Sequence, residues 1–296
     1  MRSPVKLNRA GWPASFGRLS LIYDDPRPLA HDFSGLSPNA VSAAISCLKF
    51  GTTFKTTRPG RQEESNRFLL DRYRGKKPVV LDVGASDGST SLDLIRALGQ
   101  GFRNYFVTDL NIWVECGVDS RGIVYFRDRN GQCMLRASGR LLTYSDDEGA
   151  GAILKVIARN MLRGSSRVSS WHRTLLVQPE LSTLAATDAR IGIMQYDMFV
   201  PWTGERPDVI KVACVLHPLH FSGDQIGEAL RVQCSNLAPE GRLVLVGEGS
   251  NDVEEFSVFR KATAGMVLEY THAGGGKAAG YMPLSGFKLE SDPRAA

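Results

Sequence analysis

Nothing in the 296 residues approaches the ~18–20 consecutive apolar positions that a membrane-spanning helix needs. The opening Met1-Arg-Ser-Pro-Val-Lys-Leu-Asn-Arg9 has a basic flank without the apolar stretch of a signal peptide, so the expected location is the cytoplasm. Cysteine is sparse: Cys47, Cys116, Cys133, Cys214 and Cys234 stand far apart, with no C-x-x-C pair. An odd, scattered set argues against a disulfide framework or a zinc site and fits a reducing compartment. His31, His172 and His272 have no partner at metal-ligand spacing, and no metal is expected. The net charge of +5 is diffuse, and no Lys/Arg cluster is interleaved with aromatics, which excludes a nucleic-acid footprint. Gly274-Gly-Gly-Lys277 lacks the spacing and the following Ser/Thr of a phosphate-binding loop. Asp146-Asp147-Glu148 lacks the surrounding pattern of a calcium loop. What is present is an ordinary globular composition, 43% hydrophobic and 23% charged, long enough for one embellished domain or two small ones.

Residues 1–37, rich in Pro, Gly, Arg and Ser, read as an irregular arm. Ser37-Pro38 predicts a capped helix running to about Phe50, and a second helix spans Arg61 to Tyr73. The texture then changes to apolar runs separated by helical patterns. Strands are predicted at 78–84, 104–109, 191–197, 208–215 and 242–248, with helices at 90–98 and 222–237, the latter opened by a Ser222/Gln225 capping box. Continuous apolar strands alternating with helices indicate an α/β fold with a doubly wound, mostly parallel Rossmann-like sheet. Phe256–Arg260 and Met266–His272 are the last two strand candidates. Residues 116–190 break the rhythm: Asn130-Gly131 between alternating runs marks a β-hairpin, and Ala152–Leu162 is helix-like. The expected organisation is an N-terminal arm with helices (1–75), a main domain (76–290) carrying an α+β insertion (116–190), and a tail (291–296).

Chemistry concentrates at strand ends. Leu81-Asp82-Val83-Gly84-Ala85-Ser86-Asp87-Gly88 follows a strand and opens a helix, the context a nucleotide-type glycine loop needs. The G-x-G-x-x-G dinucleotide pattern is not met. Asp109 ends the next strand, where a carboxylate can accept from both hydroxyls of a ribose.

The loop resembles the first motif of class I methyltransferases, D/E-x-G-x-G-x-G, with Ser86 in place of the middle glycine. Tyr196-Asp197-Met198-Phe199, the strand ending in Leu216-His217, and Pro239-Glu-Gly241 through Glu248 together resemble the second half of small-molecule O-methyltransferases. The resemblance implies the class I methyltransferase fold and S-adenosyl-L-methionine as cofactor. By it, Asp82 would hold the methionine amino group, Gly84, Ser86 and Gly88 would border the adenosine, and Asp109 would hold the ribose. Asp197 and Met198 would flank the adenine, His217 would be a general base and Glu248 the acid that orients it. Imidazole suits the removal of a hydroxyl proton near neutral pH, because methyl transfer is one in-line displacement. The implied acceptor is a small molecule or glycan-like hydroxyl.

The sequence departs from that pattern at Tyr196, where a glycine is usual, and at Pro218-Leu219. The N-terminal segment is too short for the winged-helix dimerisation domain of the plant enzymes. The insertion is a candidate substrate lid or oligomer contact, a homodimer included. Two other readings stay open: another transferase or oxidoreductase on the same sheet, and a catalytically silent binding module.

Overall fold

The computed structural model describes residues 3–18, 22–51, 53–145, 151–249 and 253–282. The expected tail and the acidic turn at 146–148 lie outside these residues. The chain opens with β1 (Val5–Asn8), β2 (Ile22–Tyr23), α1 (Pro38–Ser46), β3 (Lys49–Phe50) and β4 (Thr53–Phe54). Then come α2 (Glu63–Arg72), β5 (Val79–Val83), α3 (Ser89–Leu98) and β6 (Asn104–Asp109). A third run holds β7 (Trp113–Val118), β8 (Val124–Arg127), β9 (Cys133–Ala137), β10 (Leu141–Tyr144), α4 (Ala152–Leu162) and β11 (His172–Leu175). The last holds α5 (Pro179–Thr187), β12 (Ile191–Gln195), β13 (Val209–Ala213), α6 (Gly223–Asn236), β14 (Arg242–Glu248), β15 (Glu254–Ala262) and β16 (Gly265–His272). Among the described residues no helix is long and apolar enough to cross a membrane.

Two compact units form: Met1–Arg58 with Asn111–Pro179, and Pro59–Leu110 with Glu180–Ala296. They divide differently from the boundary expected at residue 75. The first unit is a sheet in the order β11-β7-β8-β9-β10-β1-β2, antiparallel except for the β1–β2 pair. The N-terminal segment is therefore not an irregular arm. Val5 pairs with Thr143, and the buried Asn8 donates its side-chain amide to the carbonyl of Ser138 at 2.7 Å. α1 begins as expected, with Ser37 Oγ accepting from Ala40 N. It stops at Ser46 because Lys49-Phe50 pair with Thr53-Phe54 through a turn at Gly51. Its apolar face (Val41, Ala44, Ile45) packs with Val114, Phe126, Leu135 and Leu142 into one core.

The second unit is the α/β sheet, ordered β12-β6-β5-β13-β14-β15-β16. The first five strands are parallel, while β15 and β16 each run antiparallel to the preceding strand. Chain order climbs from β5 through β6 to β12 on one side, then restarts beside β5 at β13. The order thus reverses between β5 and β13, the kind of switch point at whose carboxyl ends parallel α/β sheets bind ligands.

Every residue of β5 is buried. Beside it, Lys211 on β13 is fully buried and donates Nζ to Asn66 Oδ1 at 2.6 Å. Lys211 is in register with Asp82. Burial pulls its ammonium below the ordinary range, and the charge of Asp82 opposes that shift. Asp82 accepts from Ser91 Oγ and Tyr105 Oη, both at 2.8 Å.

Candidate functional site

The residues singled out along the chain come together on one edge of the second unit. Gly84–Gly88 follow β5, Asp109 ends β6, Asp197 and Met198 follow β12, His217 follows β13 and Glu248 ends β14. These are the carboxyl ends of five adjacent strands, flanking the topological switch point.

Asp82 is the exception. It lies one residue inside β5 and is 2% exposed, with its carboxylate engaged by Ser91 and Tyr105. In place of a ligand's amino group it ties β5 to α3 and β6. The pleat turns it inward, whereas the strand's end is at Val83.

The glycine loop is closed by its own backbone. The amides of Gly84 and Ala85 both donate to Thr108 O, Ser86 N donates to Asp109 Oδ2 at 3.0 Å, and Gly88 N donates to Ala85 O. The buried Asp87 accepts from Ser89 N at the start of α3. A loop with these amides engaged and an acid at the helix N-terminus offers no cradle for a pyrophosphate, which argues against a dinucleotide. A nucleoside without phosphates suits it better: Asp109 and Asp197 are acceptors for hydroxyl and amino groups, and the hydroxyl of Ser86 is buried without a partner among the described residues.

Gly84 has φ +73°, and a Cβ there would lie 2.1 Å from Val215 Cγ2, so that space holds hydrocarbon from the loop after β13. Ser86 (φ +57°) and Cys214 (φ +56°) are non-glycine residues in the left-handed region, at the ends of neighbouring β5 and β13. Such strain, ~1–3 kcal/mol per residue, gathers at functional sites.

Tyr196, unusual in the resemblance, anchors the loop after β12. Its hydroxyl donates to Val200 O and accepts from Gln233 and Asn236 of α6, and its ring meets Trp202 edge-on at 5.2 Å. Asp197 Oδ1 accepts from Phe199 N, and Met198 O accepts from Gln233.

A cavity of about 220 Å³ opens at the ends of β13 and β14. Both His217 and Glu248 line it, yet Glu248 is held by Arg61 in an ion pair. The Nδ1 of His217 accepts from Leu219 N at 3.1 Å, which puts the ring proton on Nε2. Burial, then Lys277 and His220, push its pKa below the ordinary imidazole value. In this tautomer Nε2 carries the proton and the Nδ1 lone pair is engaged by the Leu219 amide. That departs from the base role the resemblance implies.

Sequence reasoning missed Arg61, Cys214 and Lys277, all at this cavity. Lys277 belongs to the Gly-Gly-Gly-Lys segment that fails as a phosphate loop. The segment instead seats Gly276 against β14, where a Cβ would lie 3.1 Å from Gly247 N.

Neither a family model nor a curated protein matches the chain. Solved structures similar to it include methyltransferases. The N-methyltransferase NodS from Bradyrhizobium japonicum WM9, in complex with S-adenosyl-l-homocysteine, is 15% identical over 66% of this chain and 66% of its own, with a TM-score of 0.33. The glycopeptide N-methyltransferase MtfA is 12% identical over 77% of this chain and 70% of its own, with a TM-score of 0.35. The S-adenosylmethionine-dependent methyltransferase SibL is 17% identical over 64% of this chain, with a TM-score of 0.32. This chain spans 37% of the length of SibL.

Proposed function

We propose that the second unit is an S-adenosyl-L-methionine-dependent methyltransferase domain acting on a small-molecule acceptor. The observation that carries the reading is the alignment of Gly84–Gly88, Asp109 and Asp197 on the carboxyl ends of three adjacent strands beside the switch point. In it, Asp109 holds ribose hydroxyls, Asp197 and Met198 border the base, and the glycine loop with Ser86 lies along the nucleoside. Asp82 keeps the loop's strand and helix in place from behind.

When bound, the cofactor supplies a sulfonium-activated methyl group. The protein's part is to exclude water and align the acceptor, which is where proximity lowers the barrier of a one-step displacement. The cavity at the ends of β13 and β14 is the acceptor's place, and the loop at Cys214–His217 adjoins both it and the glycine loop, which Val215 reaches at Gly84.

Titration of the protein with S-adenosylhomocysteine, with NADH in parallel, tests the reading. Micromolar binding of the first alone is expected, and binding of NADH alone overturns it. A second reading, a silent module on the same fold, is favoured by Val215 filling the space at Gly84. That reading requires no binding of either ligand.

A further inference from the structure

The cavity at the ends of β13 and β14 has an unbalanced set of polar groups. Arg61 and Glu248 neutralise one another there. Lys277 has no ion-pair partner among the described residues, and His217, whose ring proton a backbone amide fixes on Nε2, lines the same space. Two donor-bearing side chains, one of them a cation, share this lining with Leu216, Leu245, Val246 and Ala278. A ligand that completes such a set has an acceptor-only group on an apolar body. About 150 Å³ suffices to hold benzene in an apolar cavity, so the 220 Å³ here accommodates a single ring or short chain with its head group.

Two of the three candidate bases at the cavity are engaged, the lone pair of His217 by Leu219 N and the carboxylate of Glu248 by Arg61, and the third, His220, stands on its exposed side. An acceptor that must lose a proton is therefore poorly served, whereas a carboxylate is ionised already at neutral pH.

We propose that the acceptor is a small aryl or alkyl carboxylic acid, bound by Lys277 and His217 through its carboxylate and methylated on a carboxylate oxygen. This rests on the methyltransferase reading given above. In the transfer, the bond between the methyl carbon and the sulfonium sulfur breaks as a bond to the carboxylate oxygen forms. The electron pair of the broken bond stays on sulfur, the positive and negative charges cancel, and no proton is released. His217 is thus a positioning donor and not a base.

The test is calorimetric titration with benzoate, phenylacetate and hexanoate against benzamide and benzyl alcohol, with and without S-adenosylhomocysteine. At least one carboxylate is expected to bind and the neutral analogues are not. Lys277→Ala and His217→Phe should each weaken that binding by ~10-fold or more, the loss of a charge-assisted hydrogen bond. His217→Gln, which keeps a side-chain N–H, should recover part of it. With methyl-labelled S-adenosylmethionine, the label on the product should be released by mild alkali as methanol, and turnover should stay flat through the imidazole range of pH.

Binding of benzyl alcohol in preference to every carboxylate, an alkali-stable product, or turnover that rises with His217 deprotonation each overturns the proposal. So does carboxylate binding indifferent to Lys277 and His217. Failure of S-adenosylhomocysteine to bind strikes the methyltransferase reading instead, and the carboxylate titration alone still decides the cavity's ligand class.

Discussion

The two units are both built around seven-stranded sheets, but they hold their strands by different means. The central strands β5, β13 and β14 of the second unit are buried nearly throughout, and the polar groups among them form a closed set: Lys211 with Asn66, Asp82 with Ser91 and Tyr105. The first unit alternates. Val114, Cys116, Phe126 and Leu135 face its core, while Glu115, Arg127, Arg136 and Arg173 occupy the intervening positions. There Arg127 lies 3.7 Å from the ring centre of Trp171, and Arg173 lies 4.1 Å from that of Trp113. A sheet buried on both faces concentrates its chemistry at strand ends, where side chains can leave the core. A sheet with one polar face has no such constraint, and its polar residues serve packing.

The change that separates the units most is Asp82→Ala. It removes two buried acceptor contacts and the charge opposing the desolvation of Lys211, and should cost about 3–5 kcal/mol in denaturant unfolding. Retained stability with lost affinity for S-adenosylhomocysteine would return Asp82 to the ligand-binding role it has in the resemblance. Asp109→Ala should instead weaken cofactor binding by about 1.5–3 kcal/mol, read by calorimetry, with a smaller effect on melting. In the first unit, Asn8→Ala breaks the bond to Ser138 and should cost about 1–3 kcal/mol, measured by the same unfolding. An unchanged midpoint would mean that β1 is dispensable to its sheet. Ser86→Gly relieves a left-handed serine and should stabilise by about 0.5–1 kcal/mol.

The smallest effect concerns thiols. Burial pushes the Cys116 thiol up to about 12 and the Cys234 thiol up to about 11. Unfolded thiols ionise first, so this stabilisation is complete below about pH 9 and is lost as pH rises through 11–12. Lys211, with its pKa lowered, works in the opposite direction over part of that range. At pH 8 a thiol reagent should label exposed Cys214 first and leave buried Cys47 and Cys116 until the chain unfolds.

The same contrast explains what was legible in the sequence. Val79-Val80-Leu81 and Leu243-Val244-Leu245-Val246 are apolar runs, and the Ser222/Gln225 capping box forms at the start of α6. Those signals are local. β7 (Trp-Val-Glu-Cys-Gly-Val) and β11 (His-Arg-Thr-Leu) carry polar residues at alternate positions and acquire their identity only by pairing with each other. β1 is tied to a partner 130 residues along the chain, a contact that no local pattern reveals. At the site, the acids and glycines were visible as a motif. The pairing of Arg61 with Glu248, the tautomer of His217 and the arrival of Lys277 depend on three-dimensional neighbours.

The most direct test of the central claim is amide hydrogen exchange with and without saturating S-adenosylhomocysteine. New protection should fall on the peptides covering 84–90, 105–110 and 195–200 in the second unit, with the strands β7 to β10 of the first unit unchanged. Protection confined to the first unit, or none at saturation, would contradict the assignment of the cofactor to the carboxyl edge of the parallel sheet.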